Sequence, residues 1–257
     1  MTPEPQPESD PGPWYCTLEY ESYEDARERF AWDIPDGYNL ADDLLRKHPD
    51  PDAPALVQAS PDGRRETFTF GDLDRRSNRL ANAFEARGID RGDRVGVIVP
   101  QKPENVLTHL ACWKIGAISL PLSILFGPEA LSHRLADSGA RAVVADESVL
   151  ETVGEVEGDC PALEYVVAVD DGSEDGDARD GANEGVESFD SLIEGCSPEY
   201  AIAETDADTP AVIIYTSGST GPPKGVLHTH GIWVGHCPAF AMYFEGDLDG
   251  VYWTPAD

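Results

Sequence analysis

Between residues 94 and 145 two kinds of short segment alternate, and that alternation narrows the folds open to this chain more than any other feature. Strand-like runs at 94–99, 118–122 and 142–145 are separated by helical stretches that open on Pro103 and Pro128. Proline suits the first turn of a helix, where its fixed φ fits and its missing N–H is not needed. Strands and helices in strict succession require crossover connections, so the sheet should be largely parallel with helices on its faces. The expected class is α/β.

The flanking segments read in the same terms. Asn39 is placed as the N-cap of a helix with Asp42 and Asp43 in its first turn and Arg46, Lys47 and His48 in its last, stopped by Pro49. Residues 55–57 and 67–70 read as strands around the turn 61–64, and Leu73, Leu80 and Phe84 mark one face of a helix ending at Gly88.

The chemistry of the chain is concentrated in Tyr215-Thr-Ser-Gly-Ser-Thr-Gly-Pro-Pro-Lys-Gly225, directly after the apolar run Ala211-Val-Ile-Ile214. Gly218 and Gly221 let the backbone bring its N–H groups close to phosphate oxygens. Thr216, Ser217, Ser219 and Thr220 add hydroxyl donors, Lys224 adds a full positive charge, and Pro222 and Pro223 stiffen the exit. The spacing is neither that of the P-loop nor Gly-x-Gly-x-x-Gly. These residues form a candidate polyphosphate cradle.

The cradle resembles the signature of the adenylate-forming superfamily, which includes acyl- and aryl-CoA synthetases. The likeness continues through Thr67-Phe-Thr-Phe-Gly-Asp-Leu73, Arg91-Gly-Asp-Arg-Val-Gly-Val-Ile-Val-Pro100, Gly116-Ala-Ile-Ser-Leu-Pro-Leu122 and Arg134-Leu-Ala-Asp-Ser-Gly-Ala-Arg141. Gly225-Val-Leu-His-Thr-His-Gly231 and Val251-Tyr-Trp-Thr-Pro-Ala-Asp257 are similar to segments of acetyl- and medium-chain acyl-CoA synthetases. The resemblance implies that residues 20–257 are the N-terminal part of an AMP-dependent synthetase/ligase domain; the acidic leader at 1–19, rich in proline at its start, is expected to be disordered because it cannot bury enough apolar surface. The resemblance also implies ATP, Mg²⁺ and coenzyme A as participants, with Thr216, Ser217, Gly218, Ser219, Thr220, Gly221 and Lys224 on the nucleotide phosphates and a small carboxylic acid as substrate. Acetate, propionate and medium-chain acids are the acids the resemblance favours.

By the same resemblance, relatives carry further elements downstream: a glutamate that helps hold Mg²⁺, a ribose-binding aspartate and a catalytic lysine in a small C-terminal domain. Those motifs have no counterpart here, and the only lysines are Lys47, Lys102, Lys114 and Lys224. No catalytic or metal-binding residue is therefore assigned. The expectation is a truncated or split N-terminal piece, inactive alone, with a complementing C-terminal chain as a possible partner. The alternative is a non-catalytic nucleotide- or partner-binding fragment.

Other features carry less. Residues 170–187 form an acidic run that imitates a calcium loop from Asp171, but Ala182 stands where the bidentate glutamate belongs, so a solvated loop is expected. His228 and His230, read as helical, would not share a face and make a poor metal pair, and His230 with His236 is no better. The resemblance places this segment beside the substrate pocket, where a wall or packing role is expected. Trp253 and Asp257 are similar to pocket residues but equally suit a core tryptophan and a helix cap.

Composition points to the setting. Five cysteines, with no Cys-x-x-Cys pair, argue for reduced thiols and against zinc or a disulfide framework. Neither a membrane-length apolar run nor an export signal is visible, so a cytoplasmic protein without a membrane span is expected. Eighteen basic residues against 49 acidic ones give a net charge of −31, which disfavours nucleic acid as a partner and suits a halophilic, archaeal source. Repulsion on this scale is relieved when salt shortens the screening length from about 10 Å at 0.1 M to about 3 Å at 1 M. Circular dichroism melts through a KCl titration should therefore show a midpoint that climbs steeply towards molar salt. A melt indifferent to KCl would remove the halophile reading.

Overall fold

The computed structural model describes residues 15–16, 19–60, 63–170, 185–217, 221–243 and 250–253. In chain order the elements are α1 (Tyr23–Arg29), α2 (Leu40–Leu45), β1 (Pro54–Ala59), β2 (Arg65–Thr69), α3 (Phe70–Ala86), β3 (Arg94–Ile98), α4 (Pro103–Ile115), β4 (Ile118–Pro121) and α5 (Pro128–Ser138). They continue as β5 (Ala142–Asp146), α6 (Leu150–Val156), β6 (Tyr165–Val169), β7 (Val186–Ser188), α7 (Phe189–Ile193), β8 (Pro210–Thr216), β9 (Lys224–Thr229) and α8 (Ile232–Tyr243).

The expected α/β architecture is present. A seven-stranded sheet runs β7-β6-β5-β3-β4-β8-β9, parallel throughout except for the last pair, and β1 with β2 makes a separate antiparallel ribbon. From β3 the chain crosses to β4 on one side and then back past β3 to β5 on the other. Right-handed crossovers running in opposite directions put their helices on opposite faces. Packing agrees: Val95, Val97 and Val144 join the core under α3, α4 and α7, while Ile98, Val143 and Ala145 join Leu131, Leu135 and Val153 under α5 and α6. Strand side chains alternate between faces, so both faces of β3 and β5 are apolar.

Local expectations held in kind and shifted at their edges. Asn39 does cap α2, accepting from the Ala41 and Asp42 amides. The helix nevertheless stops at Leu45, so Arg46, Lys47 and His48 lie beyond its last turn rather than in it. The residue before a proline is pushed out of helical geometry, and two of these side chains are engaged outside α2: Arg46 reaches Asp74 at 3.2 Å and the His48 ring stacks on Phe70, while Lys47 reaches back to Asp43 at 2.5 Å. Phe70 opens α3 instead of closing a strand, because Thr69 and Asp72 form a reciprocal capping box ahead of it. Leu73, Leu80 and Phe84 are buried as expected. Tyr15 and Cys16 are buried too, with the Tyr15 hydroxyl donating to Asp43 at 2.5 Å. The packed body thus reaches back to Tyr15, inside the segment expected to be a disordered leader; residues 1–14, 17–18 and most of the acidic run lie outside the described residues.

Helices α3 and α4 are fastened by a lysine. Lys114 is fully buried, and its ammonium donates to Asp74 Oδ1 at 2.7 Å, the Asp74 carbonyl at 3.0 Å, Ser77 Oγ at 2.8 Å and Asn78 Oδ1 at 2.7 Å. Burial depresses its pKa to about 8, against the opposing pull of the Asp74 hydrogen bond. Removing one member of such a set leaves the others desolvated and unpaired, which costs more than the pair contributes net. Lys114→Met should therefore lose on the order of 3 kcal/mol in denaturant unfolding at pH 7. Between pH 8 and the ordinary lysine value of 10.5 the unfolded chain holds a proton that the folded one has released. The stability of the wild type relative to this variant should consequently rise across that window.

Candidate functional site

Strand β8 enters the sheet beside β4 through the pairing of Val212 with Ser119 and carries its last residues to the carboxyl edge of the parallel strands. There the chain turns back as β9, in the register Ile213↔Leu227, Ile214↔Val226, Tyr215↔Gly225 and Thr216↔Lys224. Directly opposed residues of an antiparallel pair share a face, so Thr216 and Lys224 stand together at the mouth of the turn. Of the expected cradle residues, Thr216, Ser217, Gly221 and Lys224 are among the described residues; Gly218, Ser219 and Thr220 lie outside them.

Two glycines shape this turn. Gly221 has φ of +112°, a conformation that a side chain would strain. A Cβ on Gly225 would sit 2.9 Å from Ile213 Cγ2 and 3.3 Å from the Tyr215 ring, so its absence lets that ring lie across the opposite strand.

Lys224 differs from every other lysine. Lys47 is held by Asp43, Lys102 by Asp146 at 2.5 Å and Lys114 by Asp74. Lys224 is exposed and has no carboxylate within salt-bridge reach among the described residues. In a chain with so large an acidic surplus, an uncompensated ammonium standing opposite Thr216 is a local positive site suited to phosphate.

Beside this turn lies a cavity of about 420 Å³ at the carboxyl ends of β3, β4 and β8, lined among others by Val99, Leu122, Phe126 and Ile214 with Asn105 and His109 from α4. Open α/β sheets bind ligands at such an edge, where the crossovers diverge. His109 stacks on Trp113, and burial pushes its imidazole down to about 4, so it is neutral. Its Nδ1 is buried without a partner among the described residues. Nothing in the sequence marked His109 or Asn105 as cavity residues, since a lone polar residue in an apolar helix is ordinary.

The histidine segment corrects one expectation in its reasoning. His228 lies on β9 and His230 directly after it, so helical spacing does not apply to them. His230 is fully buried and accepts the Leu40 amide on Nδ1 at 3.0 Å, tying the end of β9 to the start of α2. No group of three or more His, Cys, Asp or Glu able to hold a metal occurs among the described residues. Trp253 is exposed, and Asp257 lies outside the described residues. All five cysteines are free thiols, and no described helix is long and apolar enough to cross a membrane.

Residues 45–257 match the family model of the AMP-binding enzymes. An acetyl-coenzyme A synthetase of Gemmatimonas aurantiaca is 31% identical across 95% of this chain and 39% of its own length. One from Halorhodospira halophila is 37% identical across 86% of this chain and 35% of its own length. Among solved structures, an acyl-CoA synthetase from Brucella canis superposes with a TM-score of 0.72 at 29% identity, covering 87% of this chain and 40% of that one. The anthranilate CoA ligase AuaEII, solved with anthranoyl-AMP, gives 0.68 at 29% identity over 77% of this chain and 36% of that chain. The chain therefore spans well under half the length of these relatives.

Proposed function

The chain belongs to the AMP-binding enzyme family, and on that footing we propose that it supplies the nucleotide-phosphate side of an AMP-forming acid–thiol ligase. In the overall reaction a carboxylate attacks the α-phosphorus of ATP, pyrophosphate leaves, and the thiol of coenzyme A then displaces AMP from the acyl-adenylate. A carboxylate is a poor electrophile, and the mixed anhydride makes it a good one. What a protein adds to the first step is mainly position and charge stabilisation on the phosphates.

One observation carries this reading: Lys224, alone among the lysines in having no acidic partner within reach among the described residues, stands opposite Thr216 at the carboxyl edge of a parallel sheet. Its ammonium and the hydroxyls of Thr216 and Ser217 are chemically matched to the β- and γ-phosphate oxygens, and Gly218, Ser219, Thr220 and Gly221 are the further residues proposed to meet the phosphates. Mg²⁺ would accompany the nucleotide. The described residues assemble no cage for it, so its ligands in this reading are phosphate oxygens and groups outside them. The remaining length of the relatives would come from further polypeptide, as a complementing chain or otherwise. The neighbouring cavity suits a small organic molecule in size and lining. Free thiols accord with a cytoplasmic setting, and the acidic surplus with a halophilic source.

Single-turnover assays of the two half-reactions in the turnover-competent protein test the assignment. Lys224→Ala should slow adenylate formation by about 10²–10³, the usual cost of one preorganised charge-stabilising contact, and leave thioester formation from preformed acyl-adenylate largely intact. The asymmetry follows because pyrophosphate has departed before the thiol attacks. Lys224→Arg should restore only part of the rate, since a planar fork does not reproduce a compact ammonium. Equal damage to both half-reactions, or to neither, would exclude this role.

A further inference from the structure

Both ends of the 216–224 turn are held by the same helix. At the exit, His133 Nε2 lies 2.9 Å from the Pro223 carbonyl oxygen. A carbonyl can only accept, so Nε2 carries the proton in this contact. At the entry, the Tyr215 hydroxyl donates to Asp137 Oδ2 at 2.5 Å and lies 3.4 Å from the Arg134 carbonyl. Between these two ties, the Arg134 guanidinium sits 4.1 Å from the Phe126 ring centroid and 5.6 Å from that of Tyr215, fixing the phenol from its side. The Tyr215 ring in turn covers Gly225, the first residue after Lys224.

The spacing fits for a geometric reason. His133 and Asp137 are four residues apart on α5, hence on one face and separated by about one helical pitch of 5.4 Å. Paired strands lie about 4.8 Å apart. One turn of helix therefore spans one strand-to-strand gap, and two side chains of α5 can grip both arms of the hairpin at once. Alternation along β8 puts Tyr215 on the α5 face and Thr216 on the other, together with Ile214 and the cavity. The grip acts from behind the groups that would meet a phosphate.

We propose that α5 is the positioning element of the phosphate turn, with His133 and Asp137 fixing the distance between Thr216 and Lys224 before a nucleotide arrives. Both are positioning residues: they touch the turn's backbone and Tyr215, and reach the phosphates only through them. The inference rests on the reading of Thr216 and Lys224 as phosphate contacts. Holding the turn in place in advance lowers the ordering cost of binding and keeps the ammonium in its productive position.

The test uses the 257-residue chain in molar KCl, with amide hydrogen exchange read by segment and binding of inorganic pyrophosphate read by calorimetry. His133→Ala should speed exchange across residues 221–229 by about tenfold while leaving β3 and α4 as protected as before, and should weaken pyrophosphate by a similar factor. His133→Gln, whose amide N–H reaches about as far as Nε2–H, should restore both. Lys224→Ala should weaken pyrophosphate without touching exchange. The inference is overturned if His133→Ala leaves exchange at 221–229 unchanged while pyrophosphate binds normally, or if the increase is shared by β3 and α4, the mark of general destabilisation. Failure of the wild type to bind pyrophosphate would overturn the phosphate reading, and the positioning role with it.

Discussion

Strand β3 is paired in parallel on both sides, to β4 from Arg94↔Ile118 and to β5 from Val95↔Ala142, and the rest of the molecule is arranged around that double pairing. A strand buried on both edges and both faces cannot carry polar side chains into either layer, which is why its interior reads Val-Gly-Val-Ile. Because the chain leaves β3 in one direction and later crosses back over it, α4 and α5 are forced to opposite faces, and the carboxyl edge opens where their connections part. The candidate site sits along that edge: the cavity, the end of β8 and the turn that carries Lys224.

Charge is distributed to match. Three buried or half-buried cations are committed to acidic partners: Lys114 within the α3–α4 contact, Arg141 between Asp93 and Glu164, and Arg87 on Glu187. Such pairs contribute little net stability but forbid alternatives in which one charge would be stranded. Among the lysines Lys224 is the exception, with no acidic partner within reach among the described residues, and an exposed cation in a strongly acidic chain keeps its full attraction for a polyanion. The hairpin arm that bears it also leaves Val226 and Leu227 exposed along the outer edge of the sheet.

The alternation of strands and proline-opened helices was readable because both signals are local: a fixed φ at Pro103 and Pro128, and short apolar runs. The α3 stripe of Leu73, Leu80 and Phe84 was readable for the same reason, its period being that of the helix itself. Strand β9 was not. Its first four residues are exposed, so no alternation of burial marks it, and the histidines that follow invite a helical reading. Its extended form comes from pairing with β8, an interaction formed across the turn rather than within the segment. The end of α2 was misplaced because Arg46 and Lys47 suit a last helical turn, but His48 is followed by a proline and Arg46 is drawn to Asp74 on α3.

The sequence by itself determined the strand-then-glycine order of residues 211–225, the chemistry of the turn and the parallel layering of the sheet, because each depends on neighbours along the chain. Tertiary structure alone decided which distant groups meet. His133 finds Pro223 across 90 residues of chain, Trp113 finds the Ala211 carbonyl across 98, and His230 finds the Leu40 amide across 190. Composition and period specify that a residue is polar or inward-facing. Only the packing of one element against another specifies which partner stands within hydrogen-bond distance, because such a contact depends on positions that the fold fixes and spacing along the chain does not.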